Sequence, residues 1–555
     1  MRKNIYPFIL ALAGLAIAAG GFFANRLGVS THADWRAMRV MIVVVGVFIF
    51  ITPIAFSLFG SRITILISGI ELYVKKSYAA IRPYSYTFPL VVLVLVVYVW
   101  VVSAGTWTTW HSPSKYYADL ARGFLSGSLH LASHPDPELL KLPNPYDFHT
   151  WGMIPVLLDA SLYQGEYYLY WGPTPALILV LFNPLIGDRV GDISIAFGFI
   201  MGVFLLLYIL CLVVWDRFFR DLPRSILLLS ILFLGLAGPM TFSLENKVSA
   251  RVYEAAIAGG QFFLIGGFLL LLFVLRRAPV SILGLMFVGV LWALAIASRL
   301  ILAFPIAGLA IMSMFRMYHF YTKDWKEILQ RLVALGVPLG LAFIGLGWYN
   351  WARFGSITET GLYYQLAGTD LKHYYKELLM PGFILQNIYN YFLLPFHTET
   401  AFPFIHSVLG LRAPIFSWYS FPSVYNAQHV TGLVYMAPFS IFALFSLGMR
   451  PRQQLLWDKD EWNFLLWIMR SLGVSSLLAV GTLLLYFWSA MRFQLDFTPS
   501  FFLLSVISFW RGYRALDHSP KRQQIFFASG VILALVSVTI SVLLTIGMGS
   551  LVVSF

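Results

Sequence analysis

The sequence predicts an all-α integral membrane protein with about 13 transmembrane helices and two large loops on the outer side of the membrane. Three observations predict this class: 59% of the 555 residues are hydrophobic and only 11% are charged, apolar runs of spanning length recur, and basic residues concentrate in the short connections. Soluble domains carry about a quarter charged residues and cannot cover so much apolar surface. The whole chain, residues 1–555, is therefore predicted as one polytopic membrane domain.

Apolar runs of about 20 residues are long enough to cross the hydrocarbon core of a bilayer. The first run follows Arg2 and Lys3 and is too long for the hydrophobic part of a signal peptide, so it is predicted as a transmembrane helix. The predicted spans are residues 5–24, 40–59, 88–105, 191–214, 225–243, 256–275, 281–298, 300–316, 332–350, 431–447, 465–489, 497–511 and 524–547.

The formal net charge of +13 comes mostly from Lys and Arg in short loops, which the positive-inside rule places in the cytoplasm. The N-terminus is predicted there as well. All of these basic loops fall on the cytoplasmic side only if the apolar stretch 174–187, which contains Pro184, does not cross the membrane. This stretch is therefore predicted to lie on the outer surface. Topology thus explains the basic charge without a nucleic-acid partner. The single cysteine, Cys211, excludes disulfides within the chain and a cysteine metal cluster.

This topology leaves two large outer segments, residues 106–190 and 351–430. Both are rich in Tyr, Trp, His, Pro and Gly, and their aromatic content is too high for a disordered linker. We expect both segments to fold against the membrane surface, on the periplasmic side of a bacterial inner membrane or its equivalent.

Charged residues that interrupt apolar sequence are candidates for a functional site, because such a charge costs a few kcal/mol unless a partner or a cavity compensates for it. Arg299, Arg492 and Asp496 meet this description. Arg492 and Asp496 stand about one helical turn apart, so they can also simply pair with each other. Glu254 follows Arg251 by three residues and can pair likewise.

Outer carboxylates and arginines beside an apolar interior suit a lipid-phosphate substrate. The lipid tail would lie in the bilayer, Arg would hold the phosphate through paired donors, and a carboxylate would accept the proton of an attacking hydroxyl. Asp119 and Asp159 in the first outer segment are the candidates for that base. The histidines lack metal-ligand spacing, and neither a Gly-rich phosphate loop nor a serine nucleophile elbow is present, so no metal site is predicted.

Several motifs, taken in order over roughly residues 88–316, resemble the GT-C class of membrane glycosyltransferases. The run YYADLARGFLSG at 116–127 is similar to the helix that opens the first outer loop of protein mannosyltransferases and aminoarabinose transferases. GPTPAL at 172–177 resembles the segment that leads into a surface helix in those enzymes. Glu254 resembles the acidic residue at the start of a later span, and Ser298-Arg299 resembles the basic residue at the outer break of a helix pair. DASLYQGEYY at 159–168 is similar to bacterial membrane proteins of the same class.

The resemblance implies transfer of a hexosyl or pentosyl group from a polyprenyl-phosphate-linked sugar to a glycan, lipid or protein acceptor of the cell envelope. The relatives carry an acidic pair just before Tyr-Tyr, whose aspartate is the usual base, but Pro113 and Ser114 occupy those places here. The resemblance therefore leaves Asp159 or Asp119 as the base. The residues that we expect to bind substrate and phosphate are Glu254, Arg251, Arg299, Arg492 and Asp496.

Two other functions stay open. A lipid or solute transporter predicts charges near the middle of the membrane on several helices and an internal repeat, whereas the charges here concentrate at one face and no repeat is visible. A non-catalytic assembly partner is compatible with the missing acidic pair. The geometry of the outer carboxylates and arginines, converging on one cavity or scattered, discriminates between these readings.

Overall fold

The computed structural model describes residues 82–108, 110, 112–186, 190–245, 251–276, 279–416, 418–446 and 458–548, together with Ala16 and Ala19. The predicted span 40–59 and, apart from these two helical alanines, the span 5–24 lie outside the described residues. The chain forms two compact units, residues 1–89 with 178–190 and residues 90–177 with 191–555. The site described below belongs to the second unit.

The described secondary structure is mostly helical. The α-helices are α1 (Phe88–Val102), α2 (Tyr116–Leu125), α3 (Pro137–Leu140), α4 (Thr174–Ile186), α5 (Asp192–Phe218), α6 (Arg224–Leu236), α7 (Pro239–Phe242), α8 (Val252–Val274), α9 (Ile282–Ser298), α10 (Ala303–Phe320), α11 (Trp325–Phe354), α12 (Ile384–Ile388), α13 (Leu433–Met436), α14 (Lys459–Leu484), α15 (Thr498–Ala515) and α16 (Pro520–Met548). The short strands are β1 (Ser161–Tyr163), β2 (Glu166–Tyr168), β3 (His397–Thr398), β4 (Ile405–His406), β5 (Val408–Leu409), β6 (Asn426–Ala427), β7 (His429–Val430) and β8 (Trp488–Ser489).

Eight helices of the described residues are long and apolar enough to cross a membrane, and each coincides with a predicted span. A rise of about 1.5 Å per residue makes 20 residues match a hydrocarbon core of about 30 Å. The eight are Pro83–Val102, Asp192–Phe218, Arg224–Phe242, Val252–Val274, Leu300–Phe320, Trp325–Phe354, Lys459–Leu484 and Pro520–Gly547.

Three other predicted spans differ from this set. The span at 281–298 is the shorter apolar helix α9, of 17 residues, and the span at 497–511 is α15, of 18 residues. The span at 431–447 is not one α-helix: α13 stops before Ala437, and a 3₁₀-helix, Pro438–Ser446, follows. Pro438 lacks the N–H that would continue the helix across this point. The total of about 13 spans stays a prediction.

The bend between α9 and α10 is held against the neighbouring α8. A Cβ atom on Gly260 would lie 2.9 Å from the Cβ of Arg299, and one on Gly259 would lie 2.8 Å from Oγ of Ser298, so only glycine permits this approach. The Ser298 hydroxyl also donates a 2.9 Å hydrogen bond to the carbonyl of Ala256. This contact determines where the Arg299 side chain emerges from the helix pair.

The two outer segments fold into short elements that pair with each other and with the connection between α14 and α15. In the first segment β1 and β2 form a hairpin, whose turn residues Gln164 and Gly165 both have positive φ, as in a type I′ turn. Ser161 of this hairpin forms a bridge to Gln365 of the second segment. Strands β6 and β8 pair in parallel. Three stretches far apart in sequence are thereby brought together at one place.

Helix α4 confirms the helix predicted over 174–187, and its 13 residues span about 20 Å, less than the hydrocarbon core. Its placement on the outer surface stays a prediction, as does the folding of both outer segments against the membrane.

Candidate functional site

A buried carboxylate at the start of helix α5 forms hydrogen bonds with the start of helix α2. Asp192 accepts hydrogen bonds from the Ser114 hydroxyl at 2.6 Å and from the backbone amides of Tyr116 and Tyr117 at 2.9 and 3.0 Å. A carboxylate at a helix N-terminus satisfies amides that lack a partner within the helix. This arrangement positions Tyr116 beside the cavity described next. Sequence analysis did not single out Asp192.

A central cavity of about 510 Å³ lies where the first outer segment, the second outer segment, the start of α8 and the α14–α15 connection meet. Its walls combine apolar and aromatic side chains with a small number of polar groups, which is the usual composition of a ligand site. The residues that contribute polar groups include Asp159, Tyr170, Tyr253, Gln365, Asn426, Gln428 and Arg492.

Asp159 presents its carboxylate to the central cavity from a left-handed backbone conformation, with φ of +67°. Its amide donates to the carbonyl of Leu366 at 2.8 Å, and its carboxylate accepts a 2.9 Å hydrogen bond from Gln365. Tyr253 and Tyr170 line the same cavity beside this carboxylate. Burial raises the pKa of Asp159 above its usual value, which makes the carboxylate a stronger base.

Arg492 lines the same cavity and has no carboxylate in a salt bridge among the described residues. Its guanidinium lies 4.1 Å from the centre of the Tyr253 ring and donates a 2.8 Å hydrogen bond to Gln428. Its positive charge lowers the pKa of Asp159, in opposition to the larger effect of burial. The Nε of Arg492 is buried and has no hydrogen-bond partner within the described part of the chain.

Arg299 is equally buried but fully paired. Its Nη2 lies 2.8 Å from Oδ2 of Asp496 and its Nε lies 3.3 Å from Oδ1, and the guanidinium packs on the rings of Trp171 and Phe493 at 4.7 and 5.2 Å. The sequence allowed Asp496 to pair with Arg492 instead. In the structure Asp496 pairs with Arg299, because the bend that follows Ser298 brings this arginine to the start of helix α15.

Arg251 and Glu254 form the ion pair that their spacing allowed, at 2.8 Å. The structure adds Glu245, whose carboxylate lies 2.8 Å from the other terminal nitrogen of Arg251. All three side chains are buried, and together they carry one net negative charge. The Nε of Arg251 and Oε2 of Glu254 have no hydrogen-bond partner among the described residues.

Asp119, the other candidate base, lies outside the cavities found in the described residues. Its carboxylate bonds to Arg122 and to the Ser133 hydroxyl, and its backbone carbonyl accepts from the amide of Ala132. These contacts hold the chain that follows α2 against the helix. They give Asp119 a role in the folding of the first outer segment.

An apolar cavity of about 320 Å³ adjoins the central cavity, and Tyr170 and Tyr486 line both. Its walls come mainly from α9, the start of α10, α11 and the end of α14. Gly172 also lines it, and a Cβ atom there would lie 2.0 Å from the carbonyl oxygen of Ala297, so glycine allows the wall to close. The apolar residues contributed by those helices and by the 3₁₀ turn Leu300–Leu302 include Ile296, Ile301, Phe304, Leu346 and Leu483.

A third cavity, of about 360 Å³, lies on the other side of Arg492, and we call it the cationic cavity. The residues that line both it and the central cavity are Asn426, Gln428, Trp488 and Arg492. The ionisable residues that line the cationic cavity are Arg251, Glu254, Arg412, His429 and Arg492.

Among the described residues no group of three or more His, Cys, Asp or Glu side chains is placed to hold a metal ion. At the surface, Nδ1 of His134 and Nδ1 of His130 lie 3.0 and 3.7 Å from Oε2 of Glu166.

The sequence matches no protein-family model, and no curated protein matches it. Two solved structures are similar to the chain, both of the oligosaccharyltransferase of Archaeoglobus fulgidus. The apo form aligns with 84% of this chain at 13% identity and a TM-score of 0.45. The complex of that enzyme, AglB, with an inhibitory peptide and a dolichol-phosphate aligns over the same share at 12% identity and a TM-score of 0.42. The chain covers 56% of the archaeal protein's length in each case. A likeness of this size leaves the function to be argued from the geometry of the cavities.

Proposed function

We propose that this chain is a membrane glycosyltransferase that moves a sugar from a polyprenyl-phosphate donor to a cell-envelope acceptor at the outer face of the membrane. One observation carries the proposal: a partly buried carboxylate and an arginine without a salt bridge face the same cavity, which adjoins an apolar cavity between long apolar helices. A lipid-linked sugar needs these three environments side by side.

The apolar cavity suits the prenyl chain, because most of its lining side chains are aliphatic or aromatic, although Arg299 and Arg353 line it as well. Tyr170 and Tyr486 stand where the apolar and central cavities meet. A phosphate at this junction would leave its lipid tail among the helices and carry the sugar toward Asp159. The interaction of the phosphate with a guanidinium in a site of low dielectric constant is strong.

Asp159 is the general base in this proposal. It takes the proton of an acceptor hydroxyl, whose oxygen then forms a bond to the anomeric carbon while the bond from that carbon to the phosphate oxygen breaks. The electron pair leaves with the polyprenyl phosphate, and Arg492 stabilises the charge that develops there. The hydrogen bond from Gln365 holds the carboxylate in place before reaction.

The test is turnover by the purified protein with a panel of radiolabelled polyprenyl-phosphate sugars. Asp159→Asn keeps the shape of the side chain and tolerates the positive φ, because asparagine is among the few residues that adopt this conformation readily. We expect it to lower turnover by about two to four orders of magnitude. The matched control is Asp119→Asn, which removes a carboxylate from the same outer segment but from outside the cavity and is expected to keep turnover.

Loss of turnover in the Asp119 variant and not in the Asp159 variant would overturn the assignment of the base. If no donor is bound or consumed by the wild type, the transporter and assembly-partner functions take precedence over the transferase. Radiolabelled sugar released into water without an acceptor would still identify the donor site.

A further inference from the structure

The cationic cavity is separate from the steps assigned above, since Asp159 and the apolar cavity lie on the other side of Arg492. Its most exposed ionisable side chain is Arg412, which donates a 3.3 Å hydrogen bond to the carbonyl of Ala427 and forms no salt bridge among the described residues. Arg492 likewise has no salt bridge there. Arg251 is already held between Glu245 and Glu254. Two guanidinium groups thus face this cavity without a carboxylate of their own.

Four lining residues of the cationic cavity also have buried polar atoms without a hydrogen-bond partner in the described part of the chain. Three are N–H donors, the Nε atoms of Arg251 and Arg492 and the indole nitrogen of Trp488, and the fourth is the acceptor Oε2 of Glu254. A buried polar atom without a partner costs about 1 to 3 kcal/mol. These four atoms are enclosed by protein rather than open to the cavity, so the guanidinium groups of Arg412 and Arg492 are what indicate an anionic ligand there.

We propose that the cationic cavity binds the acceptor, and that the acceptor carries an anionic oxygen group, a phosphate or a carboxylate, next to sugar-type hydroxyls. The anion pairs with Arg412, with Arg492 at the inner boundary of the cavity. Guanidinium groups recognise both kinds of anion through paired N–H donors. This inference rests on the proposed transferase function and adds the chemical class of the acceptor.

The position of the cationic cavity fits this role, because Arg492 and the side chains of Asn426, Gln428 and Trp488 form its boundary with the central cavity. An acceptor anchored by its anion at Arg412 can extend a second hydroxyl across this boundary toward Asp159. Donor and acceptor would then approach the reacting carbon from opposite sides, the donor from the apolar cavity and the acceptor from the cationic cavity.

The experiment compares transfer to two acceptors that differ only in charge, an alkyl glycoside that bears a phosphate monoester and its unphosphorylated counterpart, with a carboxylated glycoside as a third arm. The variants are Arg412→Gln and Arg412→Lys, and the control is Arg220→Gln, an exposed arginine in the turn after α5. We expect the wild type to prefer the charged acceptors and Arg412→Gln to raise their KM about tenfold. The KM of the neutral acceptor and of the donor should not change.

A second readout does not depend on turnover. Inorganic phosphate, compared with chloride at equal ionic strength, should raise the melting temperature of the wild type and of Arg220→Gln more than that of Arg412→Gln, which keeps only the donor phosphate site. If the donor is never consumed but this difference appears, the anion site stands and the transferase function fails. If the donor is consumed but neutral acceptors serve equally well, or Arg412→Gln behaves like the control in both assays, the proposed acceptor class is wrong.

Discussion

Arg299 and Arg492 are each 8% exposed, and each guanidinium packs on two aromatic rings, but their polar partners differ. Arg299 is bidentate to Asp496, whereas Arg492 has one hydrogen bond to a neutral amide and a buried Nε without a hydrogen-bond partner among the described residues. A buried charge that is fully paired stabilises one arrangement of helices. A buried charge that is not paired is held at a cost to the fold, which is typical of a binding group.

The largest expected effect is a loss of stability when Arg299 is replaced. Arg299→Met leaves Asp496 buried without its partner, and we expect the free energy of unfolding to fall by about 3 to 5 kcal/mol. Thermal unfolding in detergent measures the loss. The double variant Arg299→Met, Asp496→Leu removes both charges and should recover most of it. If Arg299→Met has the same melting temperature as the wild type, the ion pair between Arg299 and Asp496 does not contribute to stability.

Arg492→Gln should lower activity and leave stability nearly unchanged, whereas Arg299→Met should lower stability. Because Arg492 has no carboxylate in a salt bridge, its removal is expected to leave the melting temperature nearly unchanged while turnover falls by about a hundredfold to a thousandfold. Single-turnover assays with a saturating donor separate the chemical step from binding. The matched variant Arg492→Lys keeps the charge but not the paired donors and should lie between the two. A stability loss as large as that of Arg299→Met would contradict the contrast.

The pH dependence follows from the raised pKa of Asp159. A base must be unprotonated, so kcat/KM should fall as the pH drops through a pKa above the usual value of 3.8 for aspartate. The same raised pKa means that the folded protein binds this proton more tightly than the unfolded chain does. Stability should therefore decrease as the pH rises through that pKa.

Asp159→Asn should abolish this decrease, and at neutral pH its melting temperature should equal or exceed that of the wild type. Melting curves of both proteins over a pH series provide the measurement. Asp119→Asn is the control and should melt below the wild type, because Asp119 bonds to Arg122 and Ser133. A lower melting temperature for Asp159→Asn than for Asp119→Asn would identify Asp159 as a structural group instead.

The smallest expected effect concerns the group that orients Arg492. Gln428→Ala removes the 2.8 Å hydrogen bond to Nη1 of Arg492 without changing any charge. Because water can replace part of this hydrogen bond, its loss should cost about 1 to 1.4 kcal/mol, so turnover should fall about fivefold to tenfold. Steady-state kinetics detect this change. Gln386→Ala, another buried glutamine that donates only to the carbonyl of Leu411, is the control.

The membrane-spanning helices could be predicted from the sequence because burial in lipid imposes one simple requirement, about 20 consecutive apolar residues. The predictions differed where a local backbone effect competes with that requirement, as at Pro438, where the chain changes from α13 to a 3₁₀-helix. The i,i+3 pair of Arg251 and Glu254 was also predictable, because both residues lie on one turn of helix.

The composition and order of residues along the chain determined that this is a polytopic membrane protein and that Asp159 and Arg492 deserve to be singled out. The tertiary structure alone placed Asp159, and not Asp119, at the central cavity, and it alone paired Asp496 with Arg299. It also supplied Tyr253, Gln365 and Asp192, which no local pattern marks. Each of these contacts joins residues tens to hundreds of positions apart, and the energy of a buried charge depends on what the fold places next to it.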